Sequence, residues 1–345
     1  MFLLFSSINI VCAKNTFAQD FVYTYEVEHL FFHCLIAYPE IALKPNNPLK
    51  KSYFTDCITP NEFNKILDYL YKNNFVLVSL FDTFYVKDGI SSKAKIKVPH
   101  GKKALILSFD DVNYDSRKMG YGMVDKIILD GDNNIASQTI INGKKDISYS
   151  REFLPILENF VKNHPDFSPY GAKGTINLTG FDGVLGYRTS HTYSSLIKEQ
   201  EIEKAKIVVK RLKEMGWTFA CHSYGHYHMK KVSDEKFEEE IKKWKCEVEP
   251  IIKKTNAYVY PYGEWEIFCK DDYCNKHKML MSAGFNIFLG VGMKTFYSYL
   301  PSNSGKKVLF MDRKVVDGTT LCSNNPYLKP FFDPTKVLDE LRSKI

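Results

Sequence analysis

Three short segments of this chain hold residue types that can hydrolyse a bond. The first is Ser108-Phe109-Asp110-Asp111, directly after an apolar run over residues 103–109. Two adjacent carboxylates at a strand end repel each other unless a cation neutralises them. A metal ion does so, and it lets one acid act as ligand and the other as base. Taken alone, the pair is equally a surface turn or a helix cap. The second segment is His222-Ser223-Tyr224-Gly225-His226. Two imidazoles four residues apart on one loop can chelate a single cation, and nitrogen donors with a carboxylate suit zinc or a similar transition ion. His228 is either a spare ligand or a surface residue, and the surface is the simpler place for it. The third is Tyr260-Pro261-Tyr262-Gly263-Glu264. A turn of this kind after a strand can aim a backbone N–H at a developing oxyanion; it is also an ordinary turn.

The elements that must position these residues can be read from periodicity. Apolar runs predict strands over 28–36, 75–80, 103–109, 174–178, 218–221 and 257–260. Thr59-Pro60-Asn61-Glu62 is a capping box with proline at the first helical position, and Phe63, Ile66, Leu67 and Leu70 then recur at helical spacing. Further helices are expected over 153–163, 195–215, 235–253 and 334–343. A hairpin-like insertion is expected within 113–149, turning at 130–134. That acidic turn lacks the terminal Glu of a calcium loop, so a plain turn is the better reading. Strands alternating with helices mean a parallel sheet or barrel. All three chemical segments follow strand C-termini, where α/β barrels keep their active sites.

Composition narrows the classes. A chain of 345 residues suits one α/β barrel. The net charge is +7 with basic and acidic residues interspersed and no basic run, which argues against nucleic-acid binding. No stretch is long and apolar enough to be a transmembrane segment. Residues 1–18 hold an apolar run that Ala13 or Ala18 could end as a cleavable signal segment, although the positive start of such segments is missing. The eight Cys form no close CxxC pair, so no zinc ribbon is expected; Cys269 and Cys274 could bridge in an exported protein, and free thiols are the other reading. The 14% aromatic content is read mainly as core and secondarily as a sugar-stacking cleft. No feature implies a protein partner.

In this order, the three segments resemble the motifs of the polysaccharide deacetylase family (NodB homology, carbohydrate esterase family 4). The family patterns T-[FY]-D-D-G, H-[ST]-x-x-H and R-x-P-Y-G read here as SFDDV, HSYGH and VYPYG, within roughly residues 100–320. The resemblance implies an α/β fold, a distorted (β/α)7-type barrel of the NodB-homology kind, as one domain over 19–345. It implies removal of N-acetyl groups from an amino-sugar polymer such as poly-N-acetylglucosamine, a chitin-like glycan or peptidoglycan, with one divalent metal ion, zinc, as cofactor. Position by position, Asp110 matches the base, Asp111, His222 and His226 the metal ligands, and Tyr262 the residue whose backbone N–H faces the oxyanion.

The chain departs from the pattern in three places. Val112 replaces the glycine of the first motif, and Val259 replaces the arginine of the third, which would orient the base. Arg313 is the candidate substitute, with Arg188 a weaker one. The C-terminal Leu-x-His is absent, and the last histidine is His277. A general acid must therefore come from elsewhere. His29-Leu30-Phe31-Phe32-His33 resembles the opening strand of the circularly permuted deacetylases acting on poly-N-acetylglucosamine, which makes His33 the candidate acid. His29 shares its face but lies about 13 Å away along a strand, so at most one serves. A core histidine is the competing reading for both, and the better one for His29. Two rival functions remain: a metal-dependent amidohydrolase on another C–N amide, and an inactive carbohydrate-binding protein of the same fold. A secreted or cell-envelope location fits a glycan substrate; a cytoplasmic one fits the cysteines.

Overall fold

The computed structural model describes residues 20–264, 275–299 and 308–343. Seven parallel strands close into a barrel: β1 (Glu28–His33), β2 (Lys103–Asp110), β3 (Thr175–Leu178), β4 (Thr218–Cys221), β5 (Ala257–Val259), β6 (Ile287–Val291) and β7 (Val308–Val315). Each pairs with the next in chain order, and β7 pairs with β1 through Lys314↔Leu30 and Val315↔Phe31. The fold is thus a seven-stranded α/β barrel: parallel, as the strand-helix alternation implied, and of the (β/α)7 type that the resemblance implied. Its distortion sits at β2. The lower half of that strand pairs with Phe75–Leu77, and only Ser108 and Phe109 reach β3. Helices α1 (Pro60–Lys72), α2 (Phe153–Asn163), α3 (Ser195–Glu214), α4 (Asp234–Glu247) and α5 (Asn275–Ser282) come between successive strands. Between β2 and α2, the strands Lys126–Leu129, Ile135–Ile141 and Lys144–Ser148 form an antiparallel three-stranded sheet.

Alternation along the strands sorts the residues into two layers. Ala104 and Ile106 of β2, Ala220 of β4, Val259 of β5, Leu289 of β6 and Met311 of β7 pack together inside the barrel. Leu105, Leu107 and Phe109 join the other cluster, between barrel and helices, with Phe63, Leu67, Phe153 and Leu157. Most of the aromatic content is spent here: Phe109 stacks on Phe153 with ring centroids 3.8 Å apart, and Phe32 and Phe63 pack around it. The barrel is apolar at its N-terminal end. Continuing the same parity upward, the residues become Ser108, Asp110, Asn177, His222 and Arg313, all buried.

Two expected helices are broken, each for a local reason. The segment over 235–253 divides into α4 and Glu249–Ile252, because Pro250 has no N–H to continue the ladder. The segment over 334–343 divides into Pro334–Val337 and Glu340–Ser343. Between them the buried Asp339 accepts from the Leu341 N–H and from the Thr59 hydroxyl, so it serves as a cap for the chain's last turn. The expected capping box at Thr59 and Glu62 forms. Glu62 also takes Arg342, whose Nε and Nη2 lie 2.6 and 2.9 Å from its two oxygens. Arg342 further donates to the carbonyls of Phe54 and Cys57, at the end of the helix Lys50–Asp56.

Cys34, Cys57 and Cys221 are buried free thiols, and Cys246 and Cys322 are exposed ones. Cys12, Cys269, Cys274 and the candidate signal segment lie outside the described residues. No helix among the described residues is long and apolar enough to cross a membrane.

Arg342 and Glu62 are both buried, so removing one strands the other's charge. Arg342→Met is expected to destabilise the protein by about 3–5 kcal/mol, read as a lower denaturant midpoint at unchanged slope.

Candidate active site

The upper barrel opens into a cavity of about 470 Å³ that Asp110, Asp111, His222, His226, Tyr262, His33 and Arg313 all line. Successive side chains of a strand point to opposite sides, so two adjacent acids facing one cavity require a change of backbone direction. Asp110 ends β2 with inward parity. Asp111 then adopts φ +60°, which brings its carboxylate to the same cavity. Ser223, His226 and Tyr262 have φ of +62°, +53° and +57°. Such left-handed conformations cost about 1–3 kcal/mol each and persist only where surrounding contacts enforce them. For the His222–His226 loop those contacts are visible. The Ser223 hydroxyl accepts from the His226 N–H, the Gly225 N–H donates to Glu240 of α4, and the Tyr224 carbonyl accepts from Gly180 and Phe181.

Asp110 is buried and held from two sides. Arg313 grips it with both terminal nitrogens, 2.7 Å to Oδ1 and 3.0 Å to Oδ2. Asn177 of β3 donates to Oδ1 at 2.6 Å. Burial alone would raise the pKa of this acid, but the charge of Arg313 and its hydrogen bonds outweigh that and hold the carboxyl well below the usual range. Arg313 reaches across the barrel from β7. Its guanidinium lies 4.1 Å over the Phe31 ring, its Nε donates to the Gly290 carbonyl, and Nη1 touches the Ser108 hydroxyl at 3.3 Å. His29 Nε2 lies 2.9 Å from the same hydroxyl. Desolvation, and then the charge of Arg313, push His29 well below its ordinary pKa. It is a core histidine. Arg188 instead pairs with Asp182 and the Tyr114 carbonyl.

Asp111, His222 and His226 each offer a ligand atom, and these atoms lie within 4.8 Å of one another. His222 Nδ1 binds the Val259 carbonyl at 3.0 Å, which turns Nε2 toward Asp110 Oδ2, 3.6 Å away. The valine that replaced the motif's arginine thus fixes the orientation of His222 through its backbone. Burial pushes the His222 pKa down to about 4, so the ring is neutral with a free lone pair at ordinary pH. Burial opposes the charge of Asp111, but His226 and His222 hold its pKa below the ordinary value. Two imidazole nitrogens and one carboxylate are a donor set that fits zinc. His226 Nε2 lies 3.8 Å from Asp111 Oδ1.

His228 is not one of the three. Its Nδ1 pairs with Glu264 at 2.9 Å, and its ring stacks on Tyr262 at 3.9 Å. Tyr262 in turn packs on His226 at 4.6 Å, so Glu264, His228 and Tyr262 brace that imidazole from the rim. His33 pairs with Asp110 in the β1–β2 register; its Nδ1 lies 2.9 Å from the Asp56 carbonyl. His277 packs against Phe288 and Phe310, away from the cavity. Motif reading missed Asn177, whose signal was a polar residue inside the buried strand Thr175–Leu178. It also missed Tyr53 and Lys118, which line the cavity from segments with no motif. Burial opposes the charge of Lys118, but Asp111 and the cysteines beside it raise its pKa above the ordinary lysine value.

Residues 189–275 match the model of the polysaccharide deacetylase family, a span that includes His222, His226 and Tyr262. No curated protein sequence matches the chain. Among solved structures, the chain is similar to the Streptococcus pyogenes deacetylase PplD in complex with acetate, at 15% identity over 87% of this chain and 94% of that one, with a TM-score of 0.44. It is similar to a polysaccharide deacetylase from Bacillus cereus at 13% identity over 90% and 69%, with a TM-score of 0.47. It also matches a pseudoenzyme of the same carbohydrate esterase family from Bacillus anthracis at 17% identity over 38% and 36%, with a TM-score of 0.25. The span that matches the polysaccharide deacetylase model carries the second and third motifs, and the first motif's acids face the same cavity.

Proposed function

We propose that this protein hydrolyses N-acetyl groups on an amino-sugar polymer, using a divalent ion, zinc, held by Asp111, His222 and His226. The observation that carries the reading is the meeting of that donor set with a buried, arginine-held carboxylate in one cavity. A zinc ion so held would polarise the acetamide carbonyl and lower the pKa of a water toward about 7.

The chain's own residues supply the rest. Asp110 is the base, taking the proton of the attacking water at Oδ2, the oxygen that faces His222. Arg313 and Asn177 orient it, and they keep it ionised at the expense of basicity. The Tyr262 backbone N–H, on a turn that lines the cavity, is the oxyanion donor. His33 is the general acid. With Nδ1 on the Asp56 carbonyl, its Nε2 is the nitrogen left to protonate the departing amine, which is too poor a leaving group as an anion. That assignment answers the absence of the Leu-x-His motif, with His33 paired to Asp110 in the β1–β2 register.

Metal content by mass spectrometry, followed by acetate release from N-acetylglucosamine oligomers, tests this directly. Wild type should carry about one zinc per chain, and Asp111→Ala and His222→Ala should lose it; wild type that takes up no ion when zinc is supplied refutes the mechanism. Acid should act on the same residue. His222 titrates near 4 in the folded chain, below the ordinary 6.5, so the unfolded state binds its proton first. In the metal-free protein this contribution to folding is full above pH 6.5 and falls away toward pH 4, which the denaturant midpoint measured against pH checks.

Arg313→Met should leave Asp110 buried without a counter-charge and lower kcat by about 10²–10⁴, the range for losing a positioned base. Arg313→Lys, which keeps the charge but not the fork, should fall between. His33→Gln should lower kcat by a similar factor with little change in KM, and the steady-state split between the two constants checks it.

A further inference from the structure

The end of the barrel opposite the cavity carries two strands that the reaction does not use. Phe21–Thr24 and Ile96–Pro99 pair antiparallel, with Tyr23 opposite Lys97 and Thr24 opposite Ile96. A few residues later the chain enters the N-terminal ends of β1 and β2. Alternation gives this small sheet two faces. Ile96 and Val98 join the apolar barrel interior with Val27 and Ala104. Phe21, Tyr23 and Tyr25 are exposed, Tyr23 at 66%, and so are Lys95 and Lys97. Tyr170, from the segment before β3, is also exposed, its ring centroid 6.3 Å from that of Phe21. A sheet that only plugs a barrel needs one apolar face. Four exposed rings on its other side form a patch of the kind that marks a binding surface.

The rings are accompanied by cations. Lys97 Nζ lies 3.6 Å from the Phe21 ring centroid, and Lys95 Nζ lies 5.5 Å from that of Tyr25. Lys93 and Lys103 lie over Phe296 and Phe75. None of these four lysines forms an ion pair among the described residues. The excess of charge continues around the same end. A cavity of about 580 Å³ at the N-terminal ends of β4 and β5 is lined by Lys213, Lys253 and Lys254 and by no acid. Burial, and then the charge of Lys253, push Lys213 below the ordinary lysine pKa, so these cations crowd one another. Other acids of this end are already paired: Glu28 with Lys314, Asp166 with Lys102, and Glu214 with Arg211. Asp20, Glu26 and Asp82, next to the cavity-lining Phe81, remain against the seven lysines.

We propose that this end of the barrel docks on an anionic lipid bilayer, with the rings in the headgroup layer and the lysines meeting lipid phosphates. Tyrosine and lysine suit that layer because each joins an apolar body to a polar tip. The surplus of lysines complements the negative surface of such a bilayer. A neutral glycan would instead need open ring faces to stack on, and Lys97 and Lys95 already lie over Phe21 and Tyr25. The cavity of Asp110 and Asp111 opens at the other end of the strands, on the order of 20 Å away. A docked protein therefore presents its site away from the membrane. The proposal does not depend on which reaction that site performs.

Co-sedimentation of the full-length protein with vesicles tests it. Phosphatidylcholine vesicles containing phosphatidylglycerol should bind at least about tenfold more tightly than phosphatidylcholine alone, and the difference should shrink with added salt. Lys95→Gln combined with Lys97→Gln should weaken binding to the anionic vesicles by about thirtyfold, about fivefold for each lysine. The matching pair of Arg substitutions should retain it. Both lysines are exposed, so an unchanged thermal midpoint is expected to show that these variants fold. Tyr23→Trp should add emission that shifts to the blue on anionic vesicles. Tyr227→Trp, at an exposed position just beyond His226 at the cavity end, should not shift. Equal binding to neutral and anionic vesicles overturns the proposal. So does binding that survives the double Gln substitution, because the apolar run over residues 1–18 would then carry it. A blue shift of Tyr23→Trp with soluble dextran sulfate or N-acetylglucosamine oligomers, and none with vesicles, assigns the face to a polymer and overturns the membrane.

Discussion

The structure of the site depends on one buried ion pair. Asp110 sits where the barrel interior changes from apolar to polar, and an unpaired carboxylate there would protonate. Arg313 prevents this with a two-nitrogen grip, and it is itself fully buried, stacked on Phe31 and tied to the Gly290 carbonyl. Neither charge is tolerable alone at that depth. Their meeting fixes the position of β7 relative to β2 across the intervening β1, and so it couples barrel closure to the orientation of the acid.

Around that pair the upper barrel is organised by backbone as much as by side chains. The Val259 carbonyl orients His222, the Asp56 carbonyl orients His33, and left-handed turns at Asp111, Ser223, His226 and Tyr262 bring their side chains or peptide groups to the cavity. The helices behind the strands supply the forces that maintain those turns. Glu240 of α4 holds Gly225, and Arg342 holds the end of the helix that presents Tyr53 and Asp56. The departure at Val259 acquires a physical sense in this setting. An arginine from another strand holds Asp110, and Val259 still contributes its carbonyl to His222.

The arrangement also shows how a barrel divides its labour along the strand axis. Ala104, Ile106, Val259, Leu289 and Met311 fill the lower interior with apolar volume that needs no partner. Further along β2 and β7, and just past β4, the inward positions carry Ser108, Asp110, Arg313 and His222, each with a defined acceptor or donor. His29 marks the boundary, buried and uncharged between Met311 and Ser108.

The sequence by itself determined the local features: the strand-helix alternation, the capping box at Thr59, the strand ends that bear Asp110, His222 and Pro261, and the chelating spacing of His222 and His226. Each of these is set by neighbours a few residues apart, so residue type and spacing suffice to read them. The sequence also ranked Arg313 above Arg188 and His33 above His29, without showing which of them meets Asp110. That choice belongs to the tertiary structure. Arg313 meets Asp110 across 203 residues, and only the closure of β7 onto β1 decides it. Asn177, Tyr53 and Lys118 were invisible for the same reason: their significance comes from strand order and parity, which bring together side chains that no local pattern connects. Helix breaks at Pro250 and Asp339 lie between these limits, the first legible from a residue without an N–H, the second decided by a buried carboxylate whose partners are far away in the chain.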